Sequence, residues 1–124
     1  MNPIFFHTTD WSTIPFSEHV GESGVAYWRT IQYNGLRVRL VEYSKGYKAN
    51  HWCKVGHLVF CLEGEMIAEL ADGRTFTLSK GMSYLVSDNV SSHRSVSETG
   101  VKLLIVDGQF LNQTNQRITN PFRI

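Results

Sequence analysis

Residues 46–65, GYKANHWCKVGHLVFCLEGE, combine an apolar, strand-like run with side chains that are capable of binding a metal. The four candidates, all within eleven residues, are His51, Cys53, His57 and Cys61. The second half of the stretch is rich in Val, Leu and Phe, which is typical of a strand bound for a hydrophobic core. The stretch therefore predicts a core strand that also contributes to a site.

Turn-forming dipeptides recur at short intervals on both sides of this stretch. They are Asn34-Gly35, Lys45-Gly46, Glu63-Gly64, Asp72-Gly73, Lys80-Gly81, Thr99-Gly100 and Asp107-Gly108. The short runs between them are rich in Val, Leu, Ile, Tyr and Phe, and MIAEL and RTFTL flank Asp72-Gly73 as the arms of a hairpin do. No central window has the apolar spacing of a long helix. The pattern predicts an all-β sandwich or barrel.

The chain has 124 residues, which fit one domain with a sizeable core. We expect the barrel over residues 25–108. Residues 1–24 form an N-terminal extension, with a short helix or an added edge strand, and residues 109–124 form a C-terminal arm. The arm is polar with apolar ends, which suits packing on its own domain or on a partner subunit; a loosely ordered terminus is the alternative.

Charge and the N-terminal residues exclude several classes of protein. Twelve Lys and Arg residues against eleven Asp and Glu residues give a formal net charge of +1, and their scattered positions argue against a nucleic-acid partner. The N-terminus MNPIFFHTTDW lacks a basic leader and a long apolar run, so we expect neither a signal peptide nor a membrane-spanning helix there. A cytoplasmic location follows, in which cysteines are more often thiols or metal ligands than disulfides, and in which Asn89 and Asn112 carry no glycan.

The alternation of side chains along a strand groups the candidate ligands by face. If residues 50–54 are extended, His51 and Cys53 share one face, while Trp52 points away and packs against a loop or a dimer contact. In HLVFCLEG, His57 lies on the inward face among apolar neighbours. Another histidine, His93, opens a later strand. Imidazole and thiolate donors suit Zn, Fe, Ni or Cu better than Mg or Ca.

With these residues in place, the chain resembles the small, single-domain cupins. The first cupin motif is Gly, His-x-His, three or four residues, Glu, six residues and Gly. It is matched here by Gly46, His51-Trp52-Cys53, three residues, His57, six residues and Gly64. The second motif is Gly, five residues, Pro-x-Gly and His, matched by Gly81, five residues, Ser87-Asp88-Asn89, three residues and His93. The likeness is nearest to uncharacterised cupins with an Asp-His-Trp-Cys run, here Asn50-His51-Trp52-Cys53.

This resemblance implies a cupin-type double-stranded β-helix, or jelly-roll barrel, with a metal in its mouth. Carried over position by position, it implies the ligands His51, Cys53, His57 and His93. Cys53 replaces the second histidine of the family motif, His57 replaces its glutamate, and one extra residue precedes His93. The implied cofactor is a divalent transition metal, with Zn, Fe or Ni preferred.

The alternation of side chains along the strands also indicates which residues line the pocket and which lie in the core. The residues expected to line the pocket are Val59, Leu70, Tyr84 and Val86. Cys61 is expected to pack as a core residue, because free cysteine behaves as a small hydrophobe. A redox pairing of Cys61 with Cys53 stays open, since it depends on a distance that the sequence does not contain.

The strand LRVRLVEY places Arg37 and Arg39 on one face and Glu42 on the other. Because buried arginine is rare, we favour a solvated outer face for the two arginines, which leaves Glu42 as a candidate general base or hydrogen-bonding partner of the site. The alternative, with both arginines inside the barrel, would let them bind an anionic substrate through paired hydrogen bonds.

Three functional hypotheses remain at this point. The first is a metal-dependent enzyme acting on a small organic molecule, as an oxygenase, isomerase or lyase. The second is a metal-free module that binds a small molecule, and the third is a sensor whose Cys53 thiol oxidises reversibly. A homodimer is expected because the N-terminal segment has more apolar side chains than a small domain easily buries, namely Ile4, Phe5, Phe6, Trp11, Ile14 and Phe16.

Overall fold

A computed structural model describes residues 3–112, and most of the predicted C-terminal arm, residues 113–124, lies outside that range. Nine strands, numbered β1 to β9 in chain order, are Ser17–Val20, Val25–Tyr33, Leu36–Tyr43, Tyr47–Lys48, His57–Leu70, Thr75–Ser79, Ser83–Val86, His93–Ser97 and Val101–Gly108. Two short 3-10 turns, Trp11–Thr13 and Gln109–Leu111, are the helical elements of the described residues. Neither is long or apolar enough to cross a bilayer.

The strands form two antiparallel layers that share β5. In the first layer the order is β1, β2, β3, β9, β5 and β7. In the second layer β6, β5, β8 and β4 lie side by side. The prediction of an all-β jelly-roll barrel is therefore confirmed, and the N-terminal extension holds both elements that were considered for it, a short helical turn and an edge strand, β1.

The prediction of a turn at Glu63-Gly64 is wrong, because β5 runs through it as one strand of 14 residues. A register shift between Cys61 and Glu63 marks a bulge, and Gly64 adopts a φ of 83°. The inward positions change from His57, Val59 and Cys61 before the bulge to Met66 and Ala68 after it. A bulge bends a strand and changes which side chains point inward, so β5 passes from one layer to the other without a loop.

The hydrophobic core lies between the two layers. It is formed by inward side chains of strands β3, β5, β6 and β9, namely Val41, Val59, Cys61, Met66, Ala68, Leu78, Val101, Leu103 and Ile105. Alternation along β9 is regular, with Val101, Leu103, Ile105 and Asp107 buried. The same alternation that places apolar side chains in the core therefore also buries a carboxylate, that of Asp107, near the end of β9.

Candidate metal centre

Three of the predicted ligands lie together at one end of the barrel. Cys53, His57 and His93 offer one ligand atom each, and these atoms all lie within 4.8 Å of one another. His57 and His93 are buried, and Cys53 is half-buried. Among residues 3–112, these three form the one cluster of His, Cys, Asp or Glu side chains that is close enough together to hold a metal ion.

Two local features position these side chains. Cys53 forms a β-bridge with His93, in which each backbone N–H donates to the other residue's carbonyl, over 2.7 and 3.0 Å. Gly56 precedes His57 and lies directly against the backbone after β7. A Cβ at Gly56 would stand 2.5 Å from the nitrogen of Asp88, so the chain needs glycine for this approach. The Gly56 N–H also donates to the Asp88 carboxylate over 2.6 Å.

The hydrogen bonds of the two imidazoles leave their Nε2 atoms facing each other. The Nδ1 of His93 lies 2.9 Å from the Ser91 carbonyl, which can only accept, so Nδ1 carries a proton and donates it. The Nε2 of a neutral His93 ring then has a free lone pair. It lies 2.8 Å from the Nε2 of His57, which also lies 3.2 Å from the Tyr84 hydroxyl. The Nδ1 of His57 is buried and has no hydrogen-bond partner.

Burial and neighbouring charges set the protonation of the centre. Burial lowers the pKa of His57 to about 3, with help from His93 and the Arg39 charge, so this ring is neutral near pH 7. Burial acts against ionisation of the Cys53 thiol, but hydrogen bonding to His93 and the Arg39 charge outweigh it and lower the pKa of the thiol. Burial also opposes charge on His93, yet its bonds to Cys53 and Ser91 raise its pKa. The pKa of the Cys53 thiol is thus shifted towards the thiolate, which is the ligand form of cysteine.

The donor set fits a transition metal. Typical distances of about 2.0–2.1 Å from zinc to nitrogen and tetrahedral angles put two imidazole nitrogens about 3.3 Å apart, so His57 and His93 need to separate by only about half an ångström. Two imidazoles and one thiolate are ligands for Zn, Fe, Ni or Cu and poor ligands for Mg or Ca. With both rings neutral, the 2.8 Å contact between the Nε2 atoms requires one proton between them, and a cation can take the place of that proton.

His51, the fourth predicted ligand, is not part of this three-residue group. Its side chain is exposed at the rim of the cavity, and its Nδ1 lies 2.8 Å from the Asn50 side-chain oxygen. Residue 51 is in a bend and Cys53 in an isolated bridge, so residues 50–54 do not form the regular strand that would hold His51 and Cys53 on one face.

A cavity of about 220 Å³ extends from the candidate metal centre into the barrel. Its walls include Val59 and Tyr84, whereas Leu70 and Val86 are not among its lining residues. Leu70 instead pairs with His93 across strands, and Val86 pairs with His57. Burial raises the pKa of Tyr84, so its hydroxyl stays protonated beside His57.

The preference for a solvated face at Arg37 and Arg39 is wrong, since both side chains line the cavity. Arg39 is only 5% exposed. The physical reason is a counter-ion that the strand pattern of β3 alone does not reveal: Asp107 of β9 accepts two hydrogen bonds from Arg37, over 2.7 and 3.0 Å. Glu42 consequently points outward and is exposed, so it takes no part in the site.

Sequence reasoning missed Asp107 and the aromatic wall formed by Trp28, Tyr43 and Tyr47. Side-chain alternation in the sequence could have placed two of them: Asp107 shares the inward face of β9 with Ile105, and Tyr43 shares that of β3 with Arg39. The sequence did not reveal that β3 pairs with β9. The two strands are separated by 57 residues between Tyr43 and Val101, and the residue pattern of a strand does not indicate which strand it pairs with.

The other two predictions near the centre concern Cys61 and Trp52. Cys61 is fully buried in the core, as expected, and both cysteines are free thiols. Trp52 is 42% exposed and does not line the cavity, and the Arg94 guanidinium lies 4.4 Å from the centre of its ring. Neither residue therefore belongs to the group of candidate ligands.

No protein-family model and no curated protein sequence matches the chain. Solved structures match it in fold. A protein from Neisseria meningitidis is 28% identical, with a TM-score of 0.54 over 66% of this chain and 81% of that one. A predicted oxalate decarboxylase from Thermotoga maritima is 14% identical, with a TM-score of 0.71 over 82% and 98% of the two chains. An RmlC-like cupin from Shewanella frigidimarina is 20% identical, with a TM-score of 0.63 over 84% and 91%.

Proposed function

Because this chain is a small cupin in its fold, we propose that it binds one transition metal through Cys53, His57 and His93 and uses the adjoining cavity for a small organic molecule. The observation that carries the proposal is the convergence of two buried imidazoles and a cysteine with a lowered pKa from two segments of the chain, residues 53–57 and the start of β8. Buried polar groups without a role are costly, and such a cluster is typical of a functional site.

Zn, Fe and Ni are the metals that this donor set favours. The thiolate excludes a hard-ion site, and three protein ligands leave a coordination position for a substrate or a fourth donor. His51 is the proposed fourth donor, since it lies at the rim of the same cavity and, among the described residues 3–112, its ring forms a hydrogen bond with Asn50 alone. Replacing His51 should therefore weaken metal binding without abolishing it.

The chain's own residues would orient and shield a substrate. The Tyr84 hydroxyl lies 3.2 Å from the Nε2 of His57 and can form a hydrogen bond there, while Val59, Leu103 and Ile105 form an apolar wall of the cavity. A metal held at the centre would supply Lewis acidity or access to dioxygen chemistry. Oxygenase, isomerase and lyase reactions are all compatible with these groups.

Cobalt(II) substitution tests the proposal and reports directly on the thiolate. We expect one cobalt per chain and a thiolate-to-cobalt charge-transfer absorption in the near ultraviolet. Cys53→Ser should lose this absorption, whereas Cys61→Ser, the matched control in the core, should keep it. A cobalt-loaded protein without the absorption, or one whose absorption survives Cys53→Ser, would contradict the proposal.

A metal-free binding or sensor module is the second candidate, favoured by one specific observation. The Nε2 atoms of His57 and His93 lie within hydrogen-bond distance of each other, at 2.8 Å, so these two potential ligand atoms have a partner without a metal. In that case the cavity alone would bind the small molecule, or the Cys53 thiolate would react with oxidants. The cobalt experiment separates the two candidates, since a metal-free module takes up no stoichiometric cobalt.

A homodimer is also part of the proposal, with a second copy of the chain covering the outer face of the first layer. That face presents two cross-strand apolar rows, formed by Leu40, Leu104 and Phe60 and by Val38, Val106, Leu58 and Leu85. Phe5 and Phe6, in the segment that precedes the edge strand β1, are 81% and 96% exposed. A two-fold contact between identical apolar faces needs no other partner.

Light scattering tests the dimer. We expect a mass about twice the 14.1 kDa of the chain, and Leu85→Glu, at a position 66% exposed, should shift it to the monomer without unfolding the protein. A wild-type mass of one chain at micromolar concentration would contradict the dimer.

A cytoplasmic location is also part of the proposal. The two free thiols support it, and cell fractionation tests it.

A further inference from the structure

We infer that the cavity binds a small organic carboxylate and that Arg39 is the residue that recognises it. The inference rests on the proposed function, because it names the class of molecule that shares the cavity with the metal centre. Arg39 itself, however, is held by the barrel and needs no metal for this role. The two claims can therefore fail separately.

Arg39 is a buried cation with almost no protein partner. Its side chain is about 6% exposed, and its Nε is buried without any hydrogen bond. The nearest carboxylate oxygen, that of Asp107, lies 3.6 Å from its Nη2, beyond hydrogen-bond length. A guanidinium has five N–H donors, and a buried donor without an acceptor is unfavourable. Within residues 3–112 no acceptor is supplied to the buried Nε, so this N–H is prepared for an acceptor from outside the chain.

Asp107 forms its hydrogen bonds with Arg37 and only a longer ion pair, 3.6 Å, with Arg39. Both of its carboxylate oxygens accept hydrogen bonds from Arg37, over 3.0 and 2.7 Å. Burial opposes ionisation of Asp107, but the hydrogen bonds from Arg37 and the two positive charges hold its pKa below the usual value. Two guanidinium groups face one carboxylate in the cavity wall, and the other acidic group there, the Cys53 thiol, is assigned to the metal centre, so the arginines outnumber the carboxylates by one positive charge.

The Arg39 guanidinium is fixed in position by an aromatic ring. Its central carbon lies 4.4 Å from the centre of the Trp28 ring, and both side chains line the cavity. Trp28 is itself held by the His19 ring, stacked at 3.7 Å. A planar guanidinium held over a ring keeps its N–H edge available, and that edge matches the two oxygens of a carboxylate.

Size and construction favour a carboxylate over a phosphate. The cavity of about 220 Å³ holds roughly the volume of seven water molecules in the liquid, so the ligand is small. Phosphate sites typically use helix N-termini or glycine-rich loops, whereas this wall is made of strand side chains. One unpaired guanidinium balances one carboxylate. The walls beyond it, including Tyr47, Ala49 and Val59, suit a short organic chain.

Calorimetric titration with isobutyrate, pyruvate and inorganic phosphate tests the inference. The protein is first freed of metal with an uncharged chelator and desalted, and a second sample is loaded with zinc. We expect wild-type protein to bind both carboxylates in the metal-free state and to bind phosphate more weakly. Arg39→Gln should lower carboxylate affinity about tenfold or more, since it removes a charge-assisted paired hydrogen bond. Arg74→Gln, on an exposed hairpin arginine, is the matched control and should change nothing.

A second comparison needs no variant and decides the matter if Arg39→Gln does not fold. Isobutyramide has the shape of isobutyrate without its charge, so wild-type protein should bind the amide at least tenfold more weakly. Equal binding of amide and acid, absence of carboxylate binding in both samples, or preference for phosphate would each overturn the inference. Failure of zinc loading with intact carboxylate binding would instead overturn the metal proposal alone.

Discussion

The Nε2 atoms of His57 and His93 lie 2.8 Å apart, although 36 positions separate these residues in the chain. His57 opens β5, whereas His93 pairs with Leu70 at the opposite end of the same strand. A straight strand of 14 residues would hold its ends roughly 43 Å apart. The meeting of the two histidines therefore depends on the bend of β5 at its bulge.

Gly64 is the residue at that bend that cannot be replaced without strain. It has a φ of 83°, and a Cβ there would stand 2.4 Å from the Gly100 carbonyl oxygen. We expect Gly64→Ala to lower the free energy of unfolding by about 3 kcal/mol or more, from backbone strain and from the clash. Urea unfolding measures the change.

Gly73→Ala is the matched control, because Gly73 also has a positive φ, 97°, but nothing lies within 4 Å of its added Cβ. We expect it to cost only about 1–2 kcal/mol, the strain of the backbone conformation by itself. Equal costs for the two variants would mean that the close approach at Gly64 does not matter.

The two cysteines should respond to the same substitution in opposite ways. Cys61 is fully buried in the core, with its thiol 3.4 Å from the Gly64 carbonyl. Cys61→Ser should cost about 1–3 kcal/mol of stability, because a hydroxyl costs more to bury than a thiol even beside the Glu63 and Gly64 carbonyls, but it should leave metal content unchanged. Cys53→Ser should lose metal and change the stability of the metal-free protein little. Metal loss in Cys61→Ser with retention in Cys53→Ser would reverse the assignment.

Asp107 should make stability depend on pH in the acid range. Burial raises the pKa of its carboxyl, but the Arg37 hydrogen bonds and both arginine charges outweigh burial, so the folded-state pKa lies below the unfolded value. Its contribution is therefore complete above the unfolded pKa, near 4, and is lost as the pH falls through the lower folded value. Urea unfolding of wild type and Asp107→Asn between pH 7 and pH 3 measures it.

We expect Asp107→Asn to be less stable at pH 7 by about 1.5–3 kcal/mol, since it removes hydrogen bonds to a charged group. The gap between variant and wild type should narrow as the pH falls, because the wild-type carboxyl becomes neutral. A gap that stays constant down to pH 3 would show that the charge of Asp107 contributes nothing.

The sequence predicted the fold class and the inward position of His57, because strand alternation and turn dipeptides are local signals. It did not predict the continuity of β5, since a glycine with positive φ is equally typical of a turn and of a bulge. Glu63-Gly64 was therefore interpreted as a turn. The local sequence does not contain the pairing with Val101 and Lys102 that makes it a bend in one strand.

The candidate ligands Cys53, His57 and His93 were found from residue type and motif spacing, but the role of Arg39 was not. Because buried arginine is rare, we had placed Arg37 and Arg39 on the outer face of β3. That argument holds only when the barrel interior contains no counter-ion. Asp107 and Trp28 reach Arg39 from β9 and β2, so the decisive contacts are long-range. His51 was grouped with Cys53 on the assumption of an extended strand, which residues 50–54 do not form.

The metal content of the protein tests the central claim most directly. Tag-free wild-type protein, equilibrated with excess zinc and desalted, should retain one zinc per chain by elemental analysis. Cys53→Ser, His57→Ala and His93→Ala should each retain far less while staying folded, whereas His7→Ala, an exposed histidine outside the cavity, should retain the full amount. Wild-type protein without zinc, or variants that keep one zinc per chain, would contradict the claim that Cys53, His57 and His93 form a metal centre.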